Sequence, residues 1–244
     1  MYLTINTLLK NRELETELYE YLAPLYEAGL DAVIVQDPGV MDFVKTYFPG
    51  LHIHASTQMT ITGVESAKLL QKAGGNPCGD CEGAVTGRIK KIYDATHMEI
   101  ESFVHGALCY CYSGQCLMSS MIGGRSGNRG RCAQPCRLPY QVYRDGKRLN
   151  NDRTGYALSP KDMCTVDILP EIIEAGVYSL KIEGRMKNRN TLPVWCLFTG
   201  NIWTSIFPGK KGRSSPKRTN RCCGIFITGM VFTRAITSSE TDGP

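Results

Sequence analysis

The sequence lacks the features of a membrane or exported protein. It contains no run of about 18 apolar residues, the length that a membrane-spanning helix needs. Its first residues, MYLTINTLLKNREL, lack the basic region and following apolar stretch of a signal peptide. We therefore expect a cytoplasmic protein without a membrane partner, whose cysteines stay reduced. The sequence leaves the oligomeric state open.

The common signatures of hydrolytic enzymes are also missing. The chain has no HExxH zinc-protease motif and no paired-carboxylate motif. Ser113 and Ser119 lack the His-and-acid context that would indicate a serine nucleophile. Between residues 101 and 137 the cysteines form neither a pair of CxxC zinc knuckles nor a ferredoxin run. These absences exclude the best-known protease and metal-site classes on motif grounds.

The net charge of +5 is unevenly distributed along the chain. Residues 188–244 hold eight Lys or Arg against two acidic residues, which leaves residues 1–187 near neutral at −1. The basic character is therefore assigned to the carboxyl-terminal segment.

Apolar β-branched segments alternate with amphipathic ones along most of the chain. The segments expected as strands are residues 2–6, 31–36, 51–55, 98–104 and 177–182, and those expected as helices are 12–29, 39–48, 62–73, 89–97 and 166–175. Such alternation is typical of a parallel α/β sheet or barrel. We predict a partial TIM-like (β/α) barrel over residues 1–187, with a Cys-rich insertion at 101–137 and an irregular carboxyl-terminal tail over 188–244.

Polar side chains lie at the expected ends of three strands, where functional groups of α/β folds gather. His54 and Gln58 are candidates for lining a substrate cavity. His105 is a candidate general acid or base, or a hydrogen-bonded structural histidine. Glu183 and Arg185 are candidate catalytic groups, or partners in a salt bridge.

The cysteines between residues 101 and 137 are the most informative feature. Five lie within 28 residues: Cys109, Cys111, Cys116, Cys132 and Cys136. Buried cysteines are often plain core residues, and we expect that of Cys111 and Cys164, but this density favours a metal centre. The spacing does not choose between zinc and an iron–sulfur cluster. Neighbouring arginines would offset an anionic cluster or bind an anionic substrate: Arg125, Arg129, Arg131 and Arg137.

This segment resembles the signature of peptidase family U32 throughout. The matching positions are Glu101, Phe103, Gly106, Ala107, Leu108, Cys109, Gly114, Cys116, Met118 and Ser119. GNRGRCAQPCR, ALSPKDMC and SLKIEGRMK also resemble later blocks of the family, and a weaker resemblance begins at YLTINTLL. The resemblance covers about residues 2–187.

The resemblance implies a function that the motifs alone do not. The family includes collagenase-like proteases and proteins that hydroxylate a pyrimidine in tRNA or ribosomal RNA, with prephenate and a 4Fe-4S cluster. It implies cluster ligation by Cys109, Cys116 and Cys132, with Cys136 or a cysteine after the KIEGR block as the fourth ligand. We expect RNA to be the substrate, with peptide hydrolysis of a collagen-like substrate or a non-catalytic metal-bound scaffold as alternatives. Glu101 is expected to orient its loop more than to ionise for catalysis.

Two stretches depart from the family pattern. The portion that precedes YLTIN in relatives has no counterpart before Met1, so we expect about a quarter of a barrel to be missing. Residues 74–86, GGNPCGDCEGAVT, offer no strand where one is due. Read one base later, the codons of residues 76–88 permit TRVVTARELSLEE. Residues 188–203, read two bases later, permit the amphipathic helix PEYVAGVVSIYRKYLD. We interpret residues 75–88 and 188–244 as out-of-frame sequence.

Overall fold

The computed structural model describes residues 1–77, 86–183 and 224–228. Strands and helices alternate through most of this part of the chain. The strands are β1 (Tyr2–Ile5), β2 (Ala32–Val35), β3 (His52–Ala55), β4 (Asn76–Pro77), β5 (Ile100–Gly106), β6 (Tyr143–Arg144), β7 (Lys147–Arg148), β8 (Met163–Cys164), β9 (Val177–Glu183) and β10 (Gly224–Thr228). The helices are α1 (Leu18–Glu27), α2 (Pro38–Tyr47), α3 (Val64–Lys72), α4 (Thr86–Thr96), α5 (Met118–Gly123) and α6 (Leu169–Glu174). A π-helical segment, Glu13–Glu17, leads into α1.

The strands form two main sheets and one hairpin. The first sheet has the order β1-β2-β3-β4 with parallel pairing throughout. The second has the order β10-β9-β5-β8, in which β8 alone is antiparallel. The sheets meet where β4 contacts β5, although no ladder joins them. The mixed α/β class with parallel sheets agrees with the sequence prediction, whereas the described strands do not close into a barrel.

Each main sheet packs a face against helices, because successive side chains of a strand point to opposite faces and every second one lies on the helix side. Val33 and Val35 of β2 meet Leu18, Leu22 and Val44 of the neighbouring helices in one core. In the second sheet, alternate residues of β9 join α4 and α6 in another core: Leu180 and Ile182 with Ile89, Leu169 and Ile172. The intervening side chains, including Ser179 and Lys181, therefore belong to the opposite face of the strand.

The structure corrects one expectation about residues 74–86, where the composition predicts no strand. Asn76 and Pro77 form β4, which pairs in parallel with His54 and Ala55 of β3. Helix α3 returns the chain to this open edge of the sheet, and backbone pairing there needs few side-chain contacts. A proline is compatible with a strand that lies at an edge. Residues 78–85 lie outside the described part of the chain.

The segment predicted as an irregular tail contributes one strand. Gly224–Thr228 forms β10 beside β9, and its sequence GIFIT is rich in residues that favour strands. The rest of residues 188–244 lies outside the described residues. Within those that are described, no helix combines the length and apolar composition required to cross a membrane.

Candidate functional site

A buried ion pair joins β5 and β9 on the face opposite the helices. Lys181 Nζ donates to Glu101 Oε1 at 2.5 Å, and Ser179 Oγ donates to Glu101 Oε2 at 2.9 Å. The side chains of Lys181 and Glu101 are only 11% and 8% exposed. Charged groups at such depth persist when they are paired and hydrogen-bonded. Glu101 thus lies in a strand as a paired carboxylate, where the sequence placed it among loop-orienting residues.

Lys181 and Ser179 were missed by the sequence reasoning, although a signal for them exists. The segment VYSLKI alternates polar and apolar residues, and a lysine within a buried strand is unusual. In the structure Lys181 Nζ also lies 5.3 Å from the ring centroid of Phe103, a cation–π geometry. Several groups thus fix the position of this ammonium.

His54 links the first sheet to this ion pair. It is half-buried on β3, and the ring of Tyr2 stacks on it with centroids 5.2 Å apart. Burial lowers the pKa of His54; the carboxylate of Glu101 opposes this shift, while His52 and Lys181 reinforce it. His54 is therefore held in its neutral form, able to both donate and accept a hydrogen bond.

The lowered pKa of His54 predicts a pH dependence of stability. In the unfolded chain His54 takes up a proton near its ordinary pKa of 6.5, whereas the folded chain resists protonation. The free energy of unfolding should therefore decrease as the pH falls below 6.5, and His54→Gln should weaken that decrease. Urea unfolding between pH 7 and pH 5, at about half-unit steps, measures the effect. The exposed His97, which is not among the groups that shift the pKa of His54, serves as the control when changed to Asn, and equal pH dependence in both variants would contradict the assignment.

Two glutamines place buried acceptors near the carboxyl ends of β2 and β3. The Oε1 atoms of Gln36 and Gln58 are buried and have no hydrogen-bond partner among the described residues. Gln36 is 7% exposed and directly follows β2. Asp37, which caps α2 by accepting from Gly39 N at 2.7 Å, anchors the adjoining turn. Because an unpartnered buried amide is costly, these oxygens suit a ligand that supplies N–H groups. Gln58 was a sequence candidate, whereas Gln36 was missed.

The remaining strand-end candidates lie together at the ends of β5 and β9. His105 is half-buried and faces Cys164 of β8, after a register shift between Phe103 and His105. Glu183 ends β9, where its carbonyl packs so closely on Gly106 that a Cβ there would collide with it. Arg185 lies outside the described residues, and so does any salt bridge between it and Glu183.

The Cys-rich insertion docks on loops that follow β1 and β3. Arg129 donates to both carboxylate oxygens of Glu13, at 2.6 and 3.0 Å, and these bonds hold the pKa of Glu13 below its ordinary value. At the second loop, Thr60 Oγ1 donates to Ser113 O at 3.0 Å. A Cβ on Gly114, which has φ +80°, would collide with the carbonyl oxygen of Gln58, so only glycine permits this approach. The insertion therefore lies over the carboxyl edge that holds the two glutamines.

Hydrogen bonds join the segments that carry the predicted cluster ligands. Arg137 Nη2 donates to Leu108 O at 2.5 Å, which links the neighbours of Cys136 and Cys109. Ala133 N donates to Ser119 Oγ at 2.9 Å, which links the neighbour of Cys132 to the helix that follows Cys116. Cys116, Cys132 and Cys136 are free thiols, and Cys109 is exposed to solvent.

The four predicted ligands, Cys109, Cys116, Cys132 and Cys136, could hold either a single metal ion or an iron–sulfur cluster. Among the described residues, no three His, Cys, Asp or Glu side chains come together around one metal ion. In a four-iron cluster each thiolate binds a different iron, so its ligands need not meet at a single point. Gln134 N also donates to Cys132 Sγ at 3.3 Å, which fixes the position of this sulfur. Thiols on hydrogen-bonded segments match the ligand chemistry of an iron–sulfur cluster.

The arginine candidates separate into two kinds. Arg137 has a structural position, because it also donates to Ser159 Oγ and Pro160 O, each at 2.7 Å. Arg125 and Arg131 are exposed; Arg125 Nε donates to the carbonyl oxygen of Arg131 at 3.1 Å. The two exposed guanidinium groups are the better placed to meet an anion. Cys164, expected as a packing residue, is exposed on β8.

Comparisons with known proteins identify relatives along most of the chain. The model of Peptidase family U32 matches residues 1–194. The chain is 42% identical over 188 residues to the 23S rRNA 5-hydroxycytidine C2501 synthase of Escherichia coli (strain K12), covering 77% of this chain and 28% of that protein. It is 33% identical over 193 residues to tRNA hydroxylation protein P1 of Bacillus subtilis (strain 168), covering 77% and 46%. A collagenase of Porphyromonas gingivalis is 32% identical over 199 residues, covering 76% and 53%.

The aligned regions cover only part of the length of each of these relatives. The chain spans 28% and 46% of the length of the two RNA-modifying relatives. Among solved structures, the U32 peptidase Mk0906 matches with a TM-score of 0.36 and 18% identity, over 43% of this chain and 46% of that one. A likeness of that size supports no structural argument.

Proposed function

The chain belongs to peptidase family U32, and from this premise we propose that it is part of an enzyme that hydroxylates a pyrimidine in tRNA or ribosomal RNA. The observation that carries the proposal is the Cys-rich insertion lying over a carboxyl edge with unpartnered buried acceptors. Two relatives with RNA-modifying names support the choice of substrate. The site would lie in the cytoplasm, where RNA is present and thiols stay reduced. The two sheets would form part of a TIM-like barrel.

The proposed reaction needs a redox centre. Hydroxylation replaces a ring C–H by C–OH, so an oxygen atom must enter from a co-substrate and two electrons must leave to an external oxidant; acid–base side chains supply neither. Cys109, Cys116, Cys132 and Cys136 would hold a 4Fe-4S cluster, which supplies one-electron chemistry when bound. The exposed Arg125 and Arg131 suit the carboxylates of prephenate as a co-substrate, since guanidinium groups bind carboxylates in a bidentate manner.

The chain's own polar groups would bind and orient the base. The Oε1 atoms of Gln36 and Gln58 can accept the exocyclic amine of cytosine or the ring N–H of uracil. Neutral His54 can donate or accept a hydrogen bond in the same region. The Glu101–Lys181 ion pair adds a carboxylate and an ammonium whose charges balance each other. His105 and Glu183, at the strand ends, would move protons. Because Arg125 and Arg131 lie on the insertion, a bound carboxylate would lie outside this polar face.

Peptide hydrolysis remains the second candidate, because a collagenase is among the relatives. The described residues give it less support. Ser119, which lies in the family signature, is 4% exposed, and its hydroxyl accepts from Ala133 N. That oxygen is therefore inaccessible to a peptide.

The two activities separate in parallel assays on one preparation. The chain, purified without oxygen and incubated with total RNA and prephenate, should yield a hydroxylated pyrimidine nucleoside detectable by mass spectrometry. Gln36→Leu, which removes the buried acceptor at nearly equal volume, should reduce the yield without unfolding the chain, while the exposed Gln71→Leu should not. Gelatin cleavage without any modified nucleoside would overturn the proposal in favour of the peptidase.

A further inference from the structure

Positive and negative side chains are concentrated in different parts of residues 1–187. Residues 107–161, which follow β5 and include the part of the Cys-rich insertion from residue 107 to residue 137, hold nine Lys or Arg against two Asp. Residues 1–106 hold eight Lys or Arg against fourteen acidic residues. The segment over the carboxyl edge is therefore strongly basic, although residues 1–187 together are near neutral.

Much of this basic charge lies on a short antiparallel hairpin. We use "basic hairpin" for residues 142–149, in which β6 pairs with β7. Asp145 and Gly146 form its turn with φ +50° and +76°, as a tight two-residue connection requires. All residues of the basic hairpin are exposed, including Arg144, Lys147 and Arg148.

Hydrogen bonds fix the basic hairpin beside the turn at residues 132–136, which carries Cys132 and Cys136. Asn150 Oδ1 accepts from Val142 N at 2.8 Å, and Asn150 Nδ2 donates to Tyr140 O at 2.7 Å. Tyr140 Oη in turn donates to Pro135 O at 2.9 Å, directly next to Cys136. These bonds tie the base of the hairpin to the segment that carries two of the predicted cluster ligands.

Within the part of the chain that the structure describes, the ion pairs of the hairpin's arginines are with exposed acidic side chains. Arg148 pairs with Asp152, whose side chain is 95% exposed, and Arg144 lies 3.8 Å from the exposed Asp145. Water screens such pairs, so a phosphate can replace the carboxylate. Tyr143, 57% exposed, adds an aromatic ring on which a base can stack.

We propose that the basic hairpin binds the phosphates of the RNA substrate next to the reacting nucleotide. The inference rests on the proposed function, because an RNA extends well beyond one base and needs contacts outside the pocket. Arginines beside an exposed tyrosine favour a single-stranded or looped RNA over an acidic protein. Because the basic hairpin is hydrogen-bonded to the turn at residues 132–136, this contact would lie beside the predicted cluster ligands.

Binding of a labelled RNA to the full chain tests the inference. The probe is a fluorescein-labelled single-stranded RNA of about 20 nucleotides, measured by anisotropy over a range of salt concentrations. The test variant neutralises the hairpin with Arg144→Gln, Lys147→Gln and Arg148→Gln. We expect its Kd to rise roughly tenfold to a hundredfold and its log–log salt slope to fall by about 2. A charge-preserving variant, Arg144→Lys with Arg148→Lys, should retain most of the affinity.

The matched control removes the same charge from exposed positions on α3 and α4, with Lys72→Gln, Arg88→Gln and Lys91→Gln. Unchanged circular dichroism of all variants shows that folding is intact. The inference is overturned if the hairpin variant has the same Kd for RNA as the unmodified chain. It is also overturned if the variant keeps its affinity for RNA and loses only its affinity for poly-glutamate. Hairpin-dependent RNA binding without any hydroxylated nucleoside would refute the proposed function and leave the docking surface standing.

Discussion

Replacing Lys181 by methionine should lower the free energy of unfolding by about 3–5 kcal/mol. Methionine fills a similar volume but leaves the carboxylate of Glu101, 8% exposed, without the ammonium at 2.5 Å. The neutral hydrogen bond from the Ser179 hydroxyl is weaker than the lost ion pair and does not offset the cost of burying that charge. The urea concentration at half-unfolding, read by far-UV circular dichroism, measures the change.

Two further variants make the result specific. Lys90→Met breaks an exposed pair with Asp94, whose side chains are 60% and 55% exposed, and should cost no more than about 1 kcal/mol. Adding Glu101→Gln to Lys181→Met should restore much of the lost stability, because the uncompensated charge is then gone. If the single change at Lys181 costs no more than the surface control, the ion pair does not stabilise the fold as argued.

The pairing of Glu101 with Lys181 shows where sequence reasoning ends. Period-two alternation predicted both strands, and the structure has them at Ile100–Gly106 and Val177–Glu183. Alternation does not reveal which strands are neighbours, and these two residues are 80 positions apart. The register, including its shift near His105, arises from tertiary packing and has no local signal.

The insertion was the hardest part to predict, for a different physical reason. Its conformation depends on isolated contacts, such as Arg129 with Glu13 and Gly114 against Gln58, which leave no periodic pattern. Its cysteines were visible as a cluster, and the resemblance gave them a role. The net charge of residues 1–187 does not reveal the basic hairpin, because acidic residues elsewhere in that segment offset its cations. Its DG turn between alternating residues is a recognisable hairpin signal.

In the function proposed above, base binding and redox chemistry would belong to two layers of the described residues. The strands supply a rigid polar face with a paired charge, a neutral histidine and unpartnered acceptors, which suits a small planar base. The insertion supplies thiols and exposed cations above it. This arrangement makes the cysteines testable apart from the strands, because changes in the insertion need not disturb either core.

Replacing Cys116 or Cys132 by serine should remove bound iron and sulfide from the anaerobically purified chain. Serine keeps the size of the side chain but is a poor ligand for iron. Cys132 is the clearer case, since its sulfur accepts from Gln134 N at 3.3 Å and its neighbour Ala133 is tied to Ser119. Iron and sulfide analysis, with the broad absorbance expected near about 400 nm, reports the loss. Hydroxylation of RNA should disappear with it.

The same measurement on other cysteines separates a cluster from adventitious iron and identifies the fourth ligand. Cys164→Ser should leave the absorbance unchanged, because this exposed thiol on β8 is outside the predicted ligand set. Loss of colour in Cys136→Ser would make Cys136 the fourth ligand, since its segment is bonded to the neighbour of Cys109 through Arg137. The opposite result would assign that role to the cysteine after the KIEGR block. Stoichiometric zinc without sulfide in the unmodified chain would refute the cluster, and with it the redox step that hydroxylation requires.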